Sequence, residues 1–516
     1  MNRFFRLINT IKFLKFKQIC FRLYYFLRYR LRKINGFKYP LAIEAVGKKV
    51  ILSDSIPAFN SYEDGVFTFL NLSQRFDERV DWNFAKFGKL WTYNLTYFDF
   101  LNQQNFEKDR GLWLIYDFID QIDRVKDGLE PFPISLRGIN WIKFIVKHNI
   151  EDRKIDKSLY AQYLILLDNL EYHLLGNHLL ENGFSLLFGA YYFKDERFYT
   201  KAKEILKTEL KEQILDDGAH FELSPMYHQI MLFRVLDSIN LIQNSSWQKQ
   251  ELLDLLRLRA KLMLGWLKNI TFKNGNIPLF NDSTNGIAPT SKDLFQYSNN
   301  LRLKIKNSIL KKSGYRKVVK NRYECIADIG NIGPDYIPGH AHADTFNFEI
   351  YIDEKPFIVD TGVSTYEVND RREIERSTSS HNTVEINNTN QSEVWGSFRV
   401  ANRAYIVDFE ERDGYIKATH NGYEKKFKTL HQREFIFKED CIQIIDTLLS
   451  DTNHKAVARL HFHPDVTQEM IDKHINIQHL TFNIQHYKYA PEFNKLIEAK
   501  MVEIHFTKKL KVEIKI

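Results

Sequence analysis

Cysteine is scarce in this chain. Cys20, Cys325 and Cys441 are the three cysteines among 516 residues, and they lie far apart. An odd number of widely spaced cysteines builds neither a disulfide framework nor a cysteine-based zinc motif. The sequence is therefore compatible with a reducing compartment.

Long apolar runs are also missing. A secretory signal needs an uncharged apolar run of about 7–15 residues before a small-residue cleavage site, and a transmembrane helix needs about 20 apolar residues. Charges recur after at most five residues in segment 1–36, and no such cleavage site follows. We therefore expect no cleavable signal and no membrane span, which favours a cytoplasmic or inner-membrane-associated location, with the periplasm as the alternative.

Acidic residues are absent from segment 1–40, which carries eleven Lys or Arg. The segment is typical of a basic, aromatic amphipathic helix that either docks on the protein body or contacts an anionic membrane surface through residues 1–35. Without these eleven charges the net charge of +8 becomes −3. The remainder therefore gives no support for a nucleic-acid partner, and an acidic substrate would need a local basic cleft.

The spacing of apolar residues changes along the chain. From about residue 100 to 270 they recur every three or four positions, which predicts amphipathic helices in antiparallel pairs. After about residue 315, short alternating segments such as REFIFKE and CIQIIDTLL predict strands. Helices followed by strands indicate separate α and β domains, with the β part a sandwich. The predicted divisions are a basic segment 1–40, a helical domain 41–310 and a β-sandwich domain 311–516; periodicity leaves bundle, solenoid and toroid open.

The stretch GNHLLENG brings together Asn177, His178 and Glu181. Gly176 and Asn177 indicate the beginning of a helix, and His178 and Glu181 would share one face of it. An amide and an imidazole at that point could reach into a cleft. The alternative is that Asn177 caps the helix and His178 is a buried, hydrogen-bonded core histidine.

The stretch ELSPMYH indicates another helix start, because Ser224 is a good cap and Pro225 a good first-turn residue. Tyr227 then lies in the first turn. The positive end of the helix dipole favours an anion there, which would help a phenol of pKa near 10 to reach its phenolate form. The alternative is that Tyr227 packs in the helical core.

Histidines and aspartates gather in the β region. His340 and His342 stand two apart, so on an extended segment they face opposite sides and have different roles unless the segment turns. His342, Asp360 and His381 form a plausible nitrogen and oxygen metal triad that suits zinc; the alternative is a polar strand edge with solvated histidines. Arg376 could hold a carboxylate by a two-pronged contact, or could be a structural ion-pair member.

These clusters together resemble the heparinase II/III family and its alginate-lyase relatives. The matching stretches lie within about residues 85–410 and are WTYNLTYFDFLN, SLRGINWI, NHLLENG, ELSPMYH, GHAHADTFNFEIY, FIVDTGVSTY and RSTSSHNTVEIN. The resemblance implies an N-terminal (α/α) toroid followed by a C-terminal antiparallel β-sandwich, with the substrate cleft between them.

The resemblance also implies a reaction. The family cleaves acidic polysaccharides containing uronic acid by β-elimination and leaves a 4,5-unsaturated product. Asn177 and His178 match the residues that neutralise the uronate carboxylate, and Tyr227 and His340 match the catalytic tyrosine and histidine. His342, Asp360 and His381 match a zinc site of structural role, and no organic cofactor is expected. The candidates for further substrate contacts are Glu181, Glu222 and Arg376.

Without an export signal, the chain is most similar to members associated with bacterial surface-polysaccharide production. Two other functions stay open from the residues. One is a metal-dependent, cupin-like oxygenase or hydrolase that uses His340, His342 and Asp360 or His381 at the metal. The other is a non-catalytic glycan-binding protein of polysaccharide assembly. Replacing Tyr227 by Phe separates the metal enzyme from a lyase, since the metal enzyme does not need the tyrosine, and glycan binding without any unsaturated product would indicate the binding protein.

Overall fold

The computed structural model describes residues 3–247, 250–477 and 482–516. Up to residue 300 it is mostly helical. The helices of this part are α1 (Arg3–Ile11), α2 (Phe16–Ile34), α3 (Lys89–Tyr97), α4 (Lys108–Gln121), α5 (Pro131–Lys147), α6 (Arg153–Asp168), α7 (Gly176–Phe193), α8 (Glu196–Gln213), α9 (Pro225–Gln243), α10 (Gln250–Ile270) and α11 (Ser291–Asn300). A small antiparallel sheet precedes α3 and consists of β1 (Tyr62–Glu63), β2 (Val66–Phe69) and β3 (Leu72–Arg75).

Side-chain caps begin four of these helices. Asp152, Asp195, Ser224 and Thr290 cap α6, α8, α9 and α11 through their side-chain oxygens, which satisfies amide groups that have no partner within the helix. Helix α7 lies centrally and packs on α5, α6, α8 and α9. Nearly all its side chains are therefore buried, and its functional residues at the first turn are fixed by a rigid support.

The chain beyond residue 314 forms antiparallel sheets. Its strands are β4 (Tyr315–Val319), β5 (Tyr323–Asp328), β6 (Phe348–Ile352), β7 (Lys355–Ile358), β8 (Val384–Ile386), β9 (Val394–Trp395), β10 (Arg399–Val400), β11 (Ile406–Arg412), β12 (Tyr415–His420), β13 (Leu430–Phe437), β14 (Cys441–Leu449), β15 (Ala456–His461), β16 (Ile475–Ile477), β17 (Asn483–Glu492), β18 (Lys495–Phe506) and β19 (Lys509–Lys515). Short helices α12 (Asp370–Glu375), α13 (Glu424–Phe427) and α14 (Gln468–His474) lie between them.

Three sheets make up most of this β region. Their strand orders are β4-β5-β6-β7, β17-β18-β15-β8 and β11-β12-β13-β14-β19-β16. Every second side chain of β13 and most alternate side chains of β14 are buried, as expected for strands with one face against a core. The expectation of helices followed by antiparallel sheets is confirmed.

The two parts have separate hydrophobic cores. One joins residues from Val50 to Leu310 and takes in Tyr315, Ile326 and Tyr351 of the first large sheet. The other lies among the three sheets, from Tyr323 to Ile514. Since the first large sheet contributes to both cores, it is the element on which the helical part rests. The boundary at residues 310 and 311 stays a prediction.

The basic N-terminal segment docks on the protein body. Gln18 of α2 is buried and donates to the carbonyl of Leu174 at 3.0 Å, and Arg28 and Arg32 both reach the Asp168 carboxylate. Docking was one of the two alternatives for this segment, and the structure confirms it. Within the described parts of the chain, no helix has the length and apolar character needed to cross a membrane.

A buried ion pair at the centre of the sandwich gives a test of the fold. Arg433 of β13 donates to both oxygens of Asp446 on β14, at 2.7 and 2.8 Å, and to two backbone carbonyls. Arg433→Met leaves the Asp446 carboxylate buried without its cation, which we expect to destabilise the protein by about 3–5 kcal/mol.

Chemical denaturation followed by circular dichroism measures this loss. Arg322→Met is the matched control, since Arg322 forms an exposed pair with Asp353, and it should leave the denaturation midpoint unchanged. Equal midpoints for the two variants would contradict a stabilising role of the buried pair.

Candidate active site

Four segments meet between the helical part and the sandwich. They are the first turn of α7, the first turn of α9, the loop 281–283, and the segment 340–342 before β6. The first three belong to the helical side and the fourth to the sandwich side. A site built here therefore depends on both parts of the chain.

The first turn of α7 presents Asn177. Gly176 before it has a φ of +58°, and a Cβ at this position would lie 2.9 Å from an oxygen of Glu222, so glycine is required here. The close approach lets the backbone N–H and the side-chain amide of Asn177 both donate to Glu222, each at 3.3 Å. Two donors on one buried carboxylate fix the amide in the cleft.

The first turn of α9 presents Tyr227. The Ser224 hydroxyl accepts from the Tyr227 N–H at 3.2 Å and donates to the carbonyl of Asp282 at 2.8 Å. The predicted cap is confirmed, and the same hydroxyl joins the helix start to the loop 281–283. Tyr227 is thereby placed beside the segment that contains His340.

Tyr227 and His340 lie face to face. Their ring centroids are 3.9 Å apart with an interplanar angle of 30°. The Asn177 amide donates to His340 Nε2 at 3.5 Å, and the side chain of His340 keeps 13% of its surface exposed. A phenol, an imidazole and an amide therefore converge at a point that solvent reaches.

Asp282 holds the histidine side of the site. Its carboxylate is fully buried, accepts from His340 Nδ1 and His342 Nε2 at 2.9 Å each, and takes both terminal nitrogens of Arg372 at 2.5 and 2.7 Å. Burial opposes ionisation, but Arg372 and the two histidines hold the pKa of Asp282 well below its ordinary value. Asp282 is thus an anion that can only accept.

The hydrogen bond to Asp282 sets the tautomer of His340. Because the carboxylate only accepts, the Nδ1 of His340 carries the proton, and the neutral ring then has its lone pair on Nε2. That nitrogen lies on the side of Asn177 and 3.6 Å from the nearer oxygen of Glu222. His340 therefore presents a proton acceptor to the cleft.

The sequence did not identify Asp282 or Arg372. Asp282 lies in the stretch NIPLFNDSTNG, whose sequence is typical of a polar loop that could line a cleft but indicates no role for the carboxylate. Arg372 lies in α12, ninety residues further along the chain. One feature of the sequence could have indicated a buried polar site: a run of four polar residues, 281–284, directly after the apolar residues PLF. All four side chains are buried in the structure.

His178 lies beside Asn177 but makes different contacts. Its Nδ1 donates to Glu171 at 3.0 Å, and its ring packs on Phe132 at 4.6 Å. Although burial opposes the charged form, Glu171 raises the pKa of His178 above its ordinary value. The side chain is 37% exposed, so it can present a cation to an acidic ligand. The alternative of a fully buried core histidine is wrong.

The helix dipole was expected to favour the phenolate of Tyr227, but the pKa of this phenol is shifted in the opposite direction. Burial raises the pKa of the phenol above its usual value, and the neighbouring Tyr366 opposes this only in part. The expected help from the helix terminus is therefore outweighed, because loss of hydration acts on the whole charge of a phenolate. Tyr227 is therefore a protonated phenol at neutral pH.

The three residues predicted to contact substrate, Glu181, Glu222 and Arg376, lie in different environments. Glu222 lies in the site, and burial raises the pKa of its carboxyl above the ordinary value. Glu181 is buried on α7 in an ion pair with Arg234 of α9 at 3.0 Å. Arg376 is buried and donates to backbone carbonyls, among them that of Ala341 at 2.8 Å, so it holds the segment that carries the two histidines. Substrate binding by these residues stays a prediction.

The segment that contains His340 and His342 turns, which is the exception that the sequence analysis allowed for. The two rings do not face opposite sides of a strand, because residues 339–347 turn and β6 begins only at Phe348. Both rings instead reach the same carboxylate, one oxygen each. Their roles still differ in position, since His342 is fully buried and His340 lines the cleft.

The residues of the predicted metal triad are neighbours. His342 and His381 have ring centroids 5.3 Å apart, and His342 Nδ1 and His381 Nε2 are buried atoms without a hydrogen-bond partner. Burial lowers the pKa of His342 to about 4, and its Nε2 donates to Asp282, so its Nδ1 has the lone pair. Imidazole nitrogens are among the donors that zinc prefers.

The Asp360 carboxylate does not fit the ion as it is placed. It accepts from His381 Nδ1 at 2.8 Å, from the amide of Asn347 and from the Gly362 N–H at 2.9 Å. In the described residues, no group of three or more His, Cys, Asp or Glu side chains has metal-binding geometry. The zinc triad stays a prediction.

Comparison with known proteins identifies the family. The model for the heparinase II/III N-terminus matches residues 142–303, and the model for the heparinase II/III-like C-terminal region matches residues 307–493. The chain belongs to the heparinase II/III family. One curated relative, a heparin-sulfate lyase of Bacteroides stercoris, is 27% identical over 248 residues; that stretch is 42% of this chain and 36% of the length of the relative.

Solved structures of this family show the same fold. A crystal structure of heparinase III has a TM-score of 0.70 at 16% identity, covering 89% of this chain and 82% of its own. The heparan sulfate lyase HepC from Pedobacter heparinus has a TM-score of 0.54 at 17% identity, covering 87% and 81%. The predicted (α/α) toroid followed by an antiparallel β-sandwich is confirmed.

Asp282→Asn tests the role of the shared carboxylate. An amide in its place removes the anion that fixes the His340 tautomer, and we expect turnover to fall by about 10–100-fold with little change in KM. Steady-state kinetics on a glycan that the wild-type protein cleaves measures this effect. Asp465→Asn, at a side chain that is 90% exposed, is the control. Wild-type turnover in a folded Asp282→Asn protein would show that Asp282 does not orient His340.

Proposed function

We propose that this protein is a polysaccharide lyase that cleaves an acidic, uronic-acid-containing glycan by β-elimination to a 4,5-unsaturated product. The single observation that carries the proposal is the convergence of Tyr227, His340 and Asn177 from the two domains. Family membership supports it, because the curated relative that matches part of the chain is named a heparin-sulfate lyase.

The first requirement of the reaction is to neutralise the uronate carboxylate. Removal of the proton from C5 spreads negative charge onto that group, and donors placed there stabilise the charge. The Asn177 amide supplies a neutral donor and His178 a cation favoured by Glu171. Glu222 is adjacent, and burial raises the pKa of its carboxyl above the ordinary value, which disfavours a negative charge beside the substrate.

The second requirement is a base for C5 and an acid for the leaving O4. His340 Nε2 has the lone pair because Nδ1 donates to Asp282, so we assign it the C5 proton. Tyr227 has a raised pKa, so we assign it protonation of O4. The C5 electrons form the double bond to C4 as the C4–O4 bond breaks, and the proton from Tyr227 completes the leaving hydroxyl.

The contact between the rings of Tyr227 and His340 limits which uronic acids we expect the protein to cleave. Side chains in face-to-face contact approach a bound sugar from the same side. In glucuronate and mannuronate the C5 proton and O4 lie on one side of the ring, whereas in iduronate and guluronate they lie on opposite sides. We therefore expect activity at glucuronate or mannuronate units.

The other two functions are not favoured. A cupin-like metal enzyme would hold its ion with His340, yet His340 is paired with Asp282, Tyr227 and Asn177. A non-catalytic glycan-binding protein has no need for the His340 tautomer that Asp282 fixes. The two heparinase II/III family models also match this chain in both domains, at residues 142–303 and 307–493.

The ultraviolet absorbance of the unsaturated uronate tests the proposal. Purified protein is incubated with heparan sulfate, hyaluronan, chondroitin, alginate and the surface polysaccharide of the organism that produces this protein. We expect the absorbance to rise on at least one glycan with glucuronate or mannuronate units, and Tyr227→Phe to lower the rate by about a hundredfold or more.

Tyr93→Phe is the matched control, since Tyr93 is a half-buried tyrosine of α3 that hydrogen-bonds Glu130. It should keep the wild-type rate. No absorbance change on any of the glycans with folded protein, or an undiminished rate in Tyr227→Phe, would contradict the proposed reaction.

We also propose that the protein binds a structural zinc ion, which supports the segment that contains His340. The support is the pair of buried imidazole nitrogens without partners, on His342 and His381. We expect elemental analysis to find about one zinc per chain, and His381→Ala to lose it together with several degrees of melting temperature. His486→Ala, in the sandwich on β17, is the control. A metal-free wild-type protein of unchanged melting temperature after zinc addition would contradict the site.

We further propose a role in bacterial surface-polysaccharide production, with a cytoplasmic or inner-membrane-associated location. The support is the segment 1–40, whose eleven Lys or Arg and absence of acidic residues favour contact with an anionic membrane surface. Fractionation of host cells tests the location.

A further inference from the structure

The docked helix α2 has two faces of different character. Its body-facing side chains include Gln18, Tyr25, Arg28 and Arg32, which bond to backbone or side-chain oxygens of the segment 168–174. Their spacing of seven, three and four residues follows one side of a helix. The opposite side therefore faces away from the protein.

The outward side of α2 is apolar. Phe16 and Ile34 at its two ends are 80% and 79% exposed. The exposed apolar side chains between them on the same side are Ile19, Leu23, Phe26 and Leu27. Helix α1 also exposes the apolar side chains Phe4, Phe5, Leu7, Ile8 and Ile11. Exposed apolar side chains in this number on a folded protein mark an interaction site.

Basic side chains border this surface. On a helical projection, Lys17 lies at one edge of the α2 stripe, Arg22 and Lys33 at the other, and Arg30 within it. The segment 1–40 has no acidic residue. In the described part of the chain, Lys17, Arg30 and Lys33 form no ion pair with the protein, unlike Arg28 and Arg32, which are paired with Asp168.

We propose that α1 and α2 form a membrane-docking surface that lies in the interface of an anionic lipid bilayer. An apolar stripe with cationic borders matches such an interface, where apolar side chains enter the acyl boundary and Lys and Arg meet lipid phosphates. A second copy of this chain fits poorly, because a twofold contact would bring the same basic segment against itself. The helices lie on the surface without crossing, since neither is long and apolar enough to span.

This surface is tied to both domains near the cleft. Arg6 of α1 pairs with Glu393 at 2.9 Å, and Trp395 of β9 donates to Thr10 at 3.1 Å. On the helical side, Lys15 before α2 pairs with Glu212 and lies over the ring of Tyr336. Docking through α1 and α2 thus fixes the orientation of the whole molecule, and the cleft with it, relative to the bilayer.

Vesicle co-sedimentation with the full-length chain tests this proposal. The probes are phosphatidylcholine vesicles with about a third phosphatidylglycerol and vesicles of phosphatidylcholine alone. We expect binding to the anionic vesicles at least tenfold tighter than to the neutral ones, weakening with added salt. The double variant Leu23→Gln, Phe26→Gln and the double variant Arg30→Glu, Lys33→Glu should each bind the anionic vesicles at least tenfold more weakly.

The matched controls are Ile309→Gln, at an apolar side chain 82% exposed outside these helices, and Lys312→Glu; both should bind as the wild type does. Circular dichroism confirms that all variants are folded. Absence of wild-type binding to anionic vesicles, or binding by the α2 variants equal to wild type, overturns the proposal. A wild-type dimer by light scattering that Leu23→Gln, Phe26→Gln converts to monomer, without vesicle binding, assigns the surface to a second copy and overturns it as well.

Discussion

The buried carboxylate of Asp282 is the interaction on which the site depends. It lies on the helical side of the cleft and binds three side chains of the sandwich side: His340, His342 and Arg372. An anion in a fully buried position is stable only when cations and donors satisfy it. Arg372 supplies the compensating charge, and the two histidines occupy the remaining acceptor positions. The same contact therefore joins the domains, fixes a tautomer and places the proton acceptor of the proposed reaction.

Much of the architecture was predictable from periodicity. The change from a helical repeat to alternation near residue 315 gave the order of the two domains, and Ser224 with Pro225 gave the start of α9. These signals are local, since caps and apolar spacing act within a few residues. The resemblance to a family added the toroid, which periodicity alone left open.

The residues that line the cleft were predictable from the sequence, and the buried residues that support them were not. Tyr227, His340 and Asn177 stand in short motifs and come together as expected. Asp282 and Arg372 are separated by ninety residues and meet only through tertiary packing. No local sequence pattern therefore predicts that they interact. The phenol of Tyr227 shows the same limit, because the helix terminus is visible in the sequence whereas the burial that raises its pKa is not.

The position of Asp282 has a consequence for how the two domains can vary. A helical domain that carries this carboxylate is matched to a sandwich that supplies an arginine and two histidines at the same point. Either half, joined to a partner domain that lacks the matching side chains, would bring a buried charge without its partners, or three donors without their acceptor. The two domains of this protein are therefore matched at this junction, and a functional chimaera made from either of them requires the four side chains to be kept together.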